Sequence, residues 1–194
     1  MTVAFCRYTP DYRFRSRLAD DSAVVGPDEL EVIIDTAHSY GVKLAAHATN
    51  HETIKILLLL NIDSIEHDYC MYLDEALSNL FQPSSKWVPI LSAYHTMSDG
   101  QDDGPWRAAK QAFKQAIATG MDKIACGGDT GVFSHGDNAL EMKLTVKLGA
   151  DWRMLRWCTL GGWECIWPMG WEGEQGRDRL KKHRSASGGC EGCG

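Results

Sequence analysis

Three side chains of the types that bind divalent metal ions each follow a short apolar run. His47 comes after residues 42–46, His67 comes after residues 62–66, and Asp129 comes after residues 123–126 and two glycines. Two neutral imidazoles and a carboxylate are suitable ligands for zinc or a related divalent ion. The three residues therefore predict a metal site, provided that the fold brings them together.

Purely structural roles would also fit these residues. A histidine at the end of a strand is more often a hydrogen-bonded structural residue than a ligand, but three polar residues at matching positions favour the metal interpretation. Glu66, His95 and His135 are further candidates for orienting the ligands or binding substrate, and ordinary loop polarity accounts for each of them equally well. A metal-free enzyme that uses His47 and Glu66 for acid-base chemistry is a weaker alternative, and it would stay active in a chelator.

The elements that position these residues alternate between helix-like and strand-like segments. Strands are predicted at residues 42–46, 62–66, 87–93 and 123–126, and helices at residues 28–40, 51–61, 74–81, 106–119 and 138–148. Such alternation is typical of βα units around a parallel sheet. Because parallel strands in a barrel direct their carboxyl ends to one face, His47, His67 and Asp129 are expected to converge.

We therefore predict an α/β fold, a partial TIM-type (β/α) barrel with about four parallel strands and flanking helices. A complete barrel usually needs about 250 residues, and this chain has 194. The barrel domain is predicted at residues 20–171, between an irregular segment at residues 1–19 and a poorly ordered tail at residues 172–194. The long loop predicted at residues 94–104 is a candidate wall of the substrate pocket.

Composition restricts the partners. A formal charge of -6 provides no basic surface for nucleic acid or anionic lipid, so a small-molecule or peptide substrate is expected. The apolar run at residues 54–60 is shorter than the roughly 20 residues that span a bilayer, and residues 1–17 show no signal peptide. Seven scattered cysteines favour a reduced, cytoplasmic setting. Cys190 and Cys193 alone are a weak signal for zinc binding or redox chemistry.

Several short motifs occur in a definite order along the chain. They are Ala45-Ala46-His47-Ala48, then Ser64-Ile65-Glu66-His67, then Gly127-Gly128-Asp129-Thr130-Gly131, followed by Ser134-His135-Gly136 and Glu141. In order and spacing, the motifs resemble the amidohydrolase superfamily, specifically its imidazolonepropionase-like and prolidase-like members, over residues 20–170. The resemblance implies the C-terminal portion of the family's barrel, strands five to eight.

The resemblance also implies roles for the three residues. His47 and His67 match the histidines of strands five and six, which bind the second metal, and Asp129 matches the aspartate of strand eight, which binds the first metal and acts as general base. A bound metal lowers the pKa of water and polarises a carbonyl, and a carboxylate accepts the proton that is released. The implied function is hydrolysis of amide or dipeptide carbon-nitrogen bonds with zinc, or with manganese or iron.

Two parts of the family's site have no counterpart in this chain. The family carries His-x-His on its first strand and a carboxylated lysine on its fourth, whereas this sequence contains no His-x-His, and residues 2–17 contain no lysine. The closing Gly-rich β segment is also absent after Gly176. We therefore expect a truncated or altered barrel that is inactive or nearly so by itself. The alternative function is an inactive barrel fragment that serves as an interaction module, with its exposed strand edges favouring a homo-oligomer.

Overall fold

The computed structural model describes residues 5–8, 25–67, 75–82, 85–102, 104–129, 131–132, 136–137 and 139–166. Its strands are β1 Phe5–Tyr8, β2 Lys43–Ala48, β3 Ser64–His67 and β4 Lys86–Val88. They form one sheet in the order β1-β2-β3-β4, and every pairing is parallel. The predicted α/β class and its parallel sheet are therefore confirmed, while the assignment to strands five to eight stays a prediction.

Helices connect and follow the strands. They are α1 Pro27–Ser39, α2 His51–Leu59, α3 Glu75–Leu80, α4 Leu91–Met97, α5 Gly104–Ala118, α6 Ala139–Lys147 and α7 Trp152–Ile166. Within the described residues, a helix lies between each pair of consecutive strands. Strands that are consecutive in sequence are also neighbours in the sheet. This order is consistent with part of a (β/α) barrel, whereas a doubly wound sheet reverses its strand order.

Local signals explain where the helices begin and end. Asn50 caps α2, because its side-chain oxygen accepts hydrogen bonds from the backbone N–H groups of Glu52 and Thr53 at 3.0 and 3.1 Å. Pro27 opens α1 at a position where a missing N–H costs nothing. After α5 the chain turns at Gly120, whose φ of 73° lies in the left-handed region that glycine adopts without strain.

The main core lies between the sheet and its helices. Leu44, Ala46 and Ala48 of β2 contribute to it, and so do the fully buried Trp87 and Phe113. A second cluster is formed by Val88, Ile90, Ala93 and Ala125. Because side chains alternate along a strand, the sheet has a helix-covered face and a second face that carries Ala45 and His47.

Three predicted elements differ from the structure. The strand predicted at residues 87–93 stops at Val88, and helix α4 replaces its end and the first part of the predicted 94–104 loop. Ile90 has a left-handed φ of 52°, which is incompatible with a continuing strand. The strand predicted at residues 123–126 is reduced to one parallel bridge between Ile124 and Trp87.

The termini were predicted as an irregular segment and a poorly ordered tail. Strand β1 lies within residues 1–19 and pairs with β2, so the prediction of an irregular segment is wrong for those four residues. The tail predicted at residues 172–194 lies outside the described residues. Within the described ranges, no helix is long and apolar enough to cross a membrane.

Candidate metal centre

His47 and Glu66 lie side by side on the second face of the sheet. The register pairs His47 with Glu66 and Glu66 with Val88, and residues paired in this way point to the same face. Both polar side chains are partly buried. This pairing therefore places an imidazole and a carboxylate next to each other on the second face of the sheet.

His67 is held in an unusual backbone conformation at the end of β3. Regular alternation would turn it toward the helix-covered face together with Ile65, but its φ of 77° interrupts the alternation. Its ring lies 4.2 Å from the ring of His47, centroid to centroid, and is tilted by 58°. A non-glycine residue in the left-handed region costs about 1 to 3 kcal/mol, and such strain is concentrated at functional sites.

Two aromatic residues fix His67 in this conformation. The indole N–H of Trp87 donates a hydrogen bond to the His67 carbonyl oxygen at 3.0 Å. The ring of Tyr94 meets the imidazole edge-on, with centroids 5.6 Å apart. Both aromatic side chains are buried, so their positions are set by packing. His67 is thus contacted at its backbone carbonyl and at its ring.

Asp129 approaches His67 from a segment without regular structure. The Asp129 Oδ2 atom lies 3.7 Å from His67 Nε2, and Asp129 also has a left-handed φ, of 48°. A Cβ atom at Gly127 would lie 2.6 Å from Val88 Cγ1, so any larger residue there would force Val88 or this segment to shift. Gly127 therefore allows the segment that leads to Asp129 to pass close to β4.

The buried carboxylate of Glu141 is connected to the segment that carries Asp129 through hydrogen bonds. Glu141 of α6 accepts hydrogen bonds from the backbone N–H groups of Leu91 and Ser92, at 3.1 and 2.7 Å. The Ser92 hydroxyl in turn donates to the Gly128 carbonyl oxygen at 3.2 Å. Burial raises the pKa of Glu141 to about 6, against the opposing effect of the hydrogen bonds from Ser92 and Leu91. The chain of contacts leads from α6 to the residue before Asp129.

Of the other predicted site residues, the structure describes Glu66 and His95. His95 packs edge-on against the ring of Trp106 in α5, with centroids 5.3 Å apart, while its neighbour Tyr94 is the residue that contacts His67. His135 lies outside the described residues. Substrate binding by His95, His135 and Glu66 therefore stays a prediction.

Trp87, Tyr94 and Ser92 support the site but were not predicted to do so. The strand predicted at residues 87–93 placed Tyr94 in the loop that follows. Helix α4, which carries Tyr94, was therefore not predicted. Pro89 was the available signal, because proline rarely occurs inside a paired strand. The hydrogen bond from Trp87 to His67 depends on strand register, and no local pattern in the sequence indicates it.

The donor atoms suit a divalent ion in type and, for one pair, in spacing. Two atoms that each lie about 2.1 Å from one ion are at most about 4.2 Å apart, and His67 Nε2 and Asp129 Oδ2 meet this limit at 3.7 Å. Among the residues that the structure describes, no three His, Cys, Asp or Glu side chains already form a complete site for an ion. Side-chain rotation or further ligands would be needed to complete one.

Strand β1 stands beside β2, where the resemblance places the strand that carries the lysine. It reads Phe5-Cys6-Arg7-Tyr8, and the register pairs Arg7 with Ala45. None of the four residues of β1 is a lysine. A cavity of about 650 Å³ lies elsewhere, between the end of α5 and the start of α7, and its walls include Met121, Trp152 and Trp157. Its walls include none of the predicted site residues that the structure describes, which are His47, Glu66, His67, His95 and Asp129.

Comparison of the sequence with known proteins identifies distant relatives. No protein-family model matches the chain. Uncharacterized proteins of Mycobacterium tuberculosis and Mycobacterium bovis are 24% identical to it over 164 residues, which covers 73% of this chain and 44% of theirs. The chain thus spans less than half the length of the curated relatives that it matches.

Solved structures give a clearer match. A Xaa-Pro dipeptidase with bound methionine in its active site superimposes with a TM-score of 0.61 at 24% identity, over 71% of this chain and 36% of that one. The ochratoxinase of A. niger gives 0.68 at 22% identity, over 84% and 40%. An uncharacterized metal-dependent hydrolase from Pyrococcus furiosus gives 0.51 at 14% identity, over 87% and 42%. At these identities the similarity establishes a shared fold.

Proposed function

We propose that this chain carries part of the active site of a metal-dependent hydrolase that cleaves carbon-nitrogen bonds in amides or dipeptides. The observation that carries the proposal is the clustering of His47, His67 and Asp129, with 4.2 Å between the two imidazole centroids and 3.7 Å between His67 and Asp129. The cluster lies at the carboxyl end of a parallel sheet, where (β/α) barrels bind their substrates. Similar folds belong to a dipeptidase and to a metal-dependent hydrolase.

Each residue has a defined part in this proposal. His47 and His67 would hold a divalent ion through ring nitrogens, and Trp87 and Tyr94 contact His67. Zinc, or manganese or iron as alternatives, would supply Lewis acidity toward a scissile carbonyl and a bound water when present. Asp129 would be a further ligand and the general base that accepts a proton from water.

Substrate contacts belong to the same face in this proposal. Glu66 is adjacent to His47 in the sheet register and is placed to orient a ligand or meet an amino group of a substrate. His95 and His135 are further candidates for substrate binding. We assign the protein to the cytoplasm with a small-molecule amide or dipeptide as its partner.

A second candidate is a noncatalytic barrel portion that acts as an interaction or assembly module. The described part of the chain holds no complete three-donor metal site, and β1 supplies no lysine, which favours this candidate. Unpaired backbone groups at the edge of a sheet can pair with another strand, so a homo-oligomer is the expected form of such a module.

Metal content separates the two candidates. The purified full chain is incubated with zinc or manganese, dialysed and analysed for bound metal, and then assayed with dipeptides and simple amides. The hydrolase proposal expects near-stoichiometric metal, an at least tenfold weaker affinity in His67→Ala, and turnover that is low because the family's other ligands are missing. Any turnover should be lost in Asp129→Asn and kept in Asp137→Asn, a control at an exposed aspartate.

The opposite outcomes are equally defined. A chain that binds no metal and forms a concentration-dependent oligomer supports the interaction module and contradicts the hydrolase. Turnover that persists in a chelator contradicts metal dependence and supports acid-base chemistry by His47 and Glu66.

A further inference from the structure

Two cysteines meet where the segment that leads to Asp129 touches helix α7. The backbone N–H of Cys126 donates a hydrogen bond to the carbonyl oxygen of Cys158 at 2.9 Å. Each of the two thiols also shifts the pKa of the other. Both residues are free thiols in the structure, and neither has a part in the proposed hydrolysis.

The backbone geometry permits a disulfide between them. With standard bond lengths, a backbone hydrogen bond of 2.9 Å limits the distance between the two Cα atoms to about 6.8 Å at most. Disulfides connect Cα atoms that are about 4.4 to 6.8 Å apart. Because each thiol shifts the pKa of the other, the two side chains lie close together. The backbone separation thus falls within the range that a disulfide spans.

The two thiols differ in exposure and acidity. Cys126 is partly accessible, whereas Cys158 is fully buried. The hydrogen bond from Cys158 lowers the pKa of Cys126 against the effect of burial, with smaller contributions from the hydroxyls of Thr145 and Thr159. The same contact and burial raise the pKa of Cys158 far above its ordinary value. An external reagent therefore meets Cys126 first.

We propose that Cys126 and Cys158 are a redox modification site that closes to a reversible disulfide by exchange with a low-molecular-weight disulfide such as oxidised glutathione. Cys126 is the attacking residue and Cys158 is the resolving residue. The cross-link attaches the segment that carries Gly127 and Asp129 to α7.

The exchange proceeds in two balanced steps. In the first step, the Cys126 sulfur attacks one sulfur of the small disulfide, forms a mixed disulfide and expels one small thiolate. In the second step, the Cys158 sulfur attacks the Cys126 sulfur and expels the second small thiolate. The two protons lost by the cysteines end on the two small thiols. The cysteine pair loses two electrons, and the small disulfide gains them.

Peptide mapping of the full chain tests the proposal. The chain is treated with oxidised glutathione, its remaining thiols are blocked, and it is digested with trypsin. Cleavage after Lys123 and Arg156 gives peptides 124–143 and 157–177, and the second peptide also contains Cys165. Fragmentation of the linked peptides should show that the cross-link ends at Cys158 and not at Cys165. Reduction of the disulfide should separate the two peptides. The cross-linked chain should melt about 5 to 10 °C higher than the reduced chain, because the link closes a long loop.

Single variants test the order of the two steps. In Cys158→Ser the reaction should stop at the mixed disulfide, with one glutathionyl group on Cys126. In Cys126→Ser, residue Cys158 should stay unmodified, because it is buried. Cys165→Ser is the matched control and should form the cross-link as the wild type does.

Three results would overturn the proposal. The first is a wild-type cross-link that joins Cys126 or Cys158 to a different residue. The second is a wild-type chain in which glutathione remains on Cys126. The third is a wild-type chain in which Cys126 and Cys158 stay reduced at every ratio of oxidised to reduced glutathione. These readings come from the wild-type chain, so they stand even where a serine variant does not fold.

Discussion

The buried carboxylate of Glu141 makes stability depend on pH in a defined direction. Its pKa is raised from 4.5 to about 6 because burial disfavours the charged form. The folded chain therefore holds this proton more tightly than the unfolded chain does. The stabilisation from this proton is complete below about pH 4.5 and is lost as the pH rises through about 6.

The size of the effect follows from the two pKa values. At 1.36 kcal/mol per pKa unit, the difference between 4.5 and about 6 corresponds to about 2 kcal/mol of unfolding free energy. Glu141→Gln keeps the shape of the side chain and cannot ionise. The stability of the wild type minus that of Glu141→Gln should therefore fall by about 2 kcal/mol between about pH 4 and pH 7.

Urea unfolding followed by tryptophan fluorescence measures this difference across the pH range. All other titrating groups are common to both proteins, so the subtraction removes their contributions. Ser92→Ala provides a second arm, because the Ser92 hydroxyl lowers the pKa of Glu141. Its removal should make the loss of stability with rising pH larger than in the wild type. A difference between wild type and Glu141→Gln that does not change with pH would refute the reasoning.

Three further changes test the elements that position the site, each by its free energy of unfolding. Gly127→Ala should lower the free energy of unfolding by about 1 to 3 kcal/mol, because its Cβ would lie 2.6 Å from Val88 Cγ1. Adding Val88→Ala should recover part of this loss. Equal losses in the single and double variants would contradict the contact. Asn50→Ala should cost about 1 kcal/mol by removing the cap of α2, while Asn50→Asp should keep most of it. Trp87→Phe should cost about 1 to 3 kcal/mol, because it leaves the His67 carbonyl without its indole donor; an unchanged stability would show that water or another group replaces it.

Much of the fold follows from regular spacing in the sequence. Helices α1 and α2 and strands β2 and β3 lie within a few residues of their predicted positions, because their apolar periods, caps and glycines all indicate the same elements. His47 and His67 follow from this, since a residue that ends a parallel strand must lie at the carboxyl edge of the sheet.

The elements that were missed depend on contacts between distant residues. Strand β1 is short and has no clear period of its own, so pairing with β2 defines it. The end of β4 is set by the left-handed Ile90 and by Glu141, which lies about 50 residues further along the chain and holds the start of α4. Such contacts leave no local pattern in the sequence.

The sequence predicted that His47, His67 and Asp129 converge, but it indicated only part of the geometry that brings them together; their role as a metal site stays a prediction. Periodicity indicated that His67 ends a strand, but regular alternation would have turned its ring away from His47. The left-handed backbone at His67 and Asp129 brings the rings and the carboxylate together. Histidine and aspartate are enriched in that conformation relative to most residues, but it is uncommon for both, so their residue types alone do not predict it.

The central claim is that His47, His67 and Asp129 share one divalent ion, and anomalous diffraction tests it most directly. Crystals of the full chain grown with zinc are measured on both sides of the zinc absorption edge. We predict an anomalous peak within about 2.2 Å of donor atoms from at least two of these three residues. Zinc bound only at cysteines or at other histidines, or no ordered zinc at all, would contradict it.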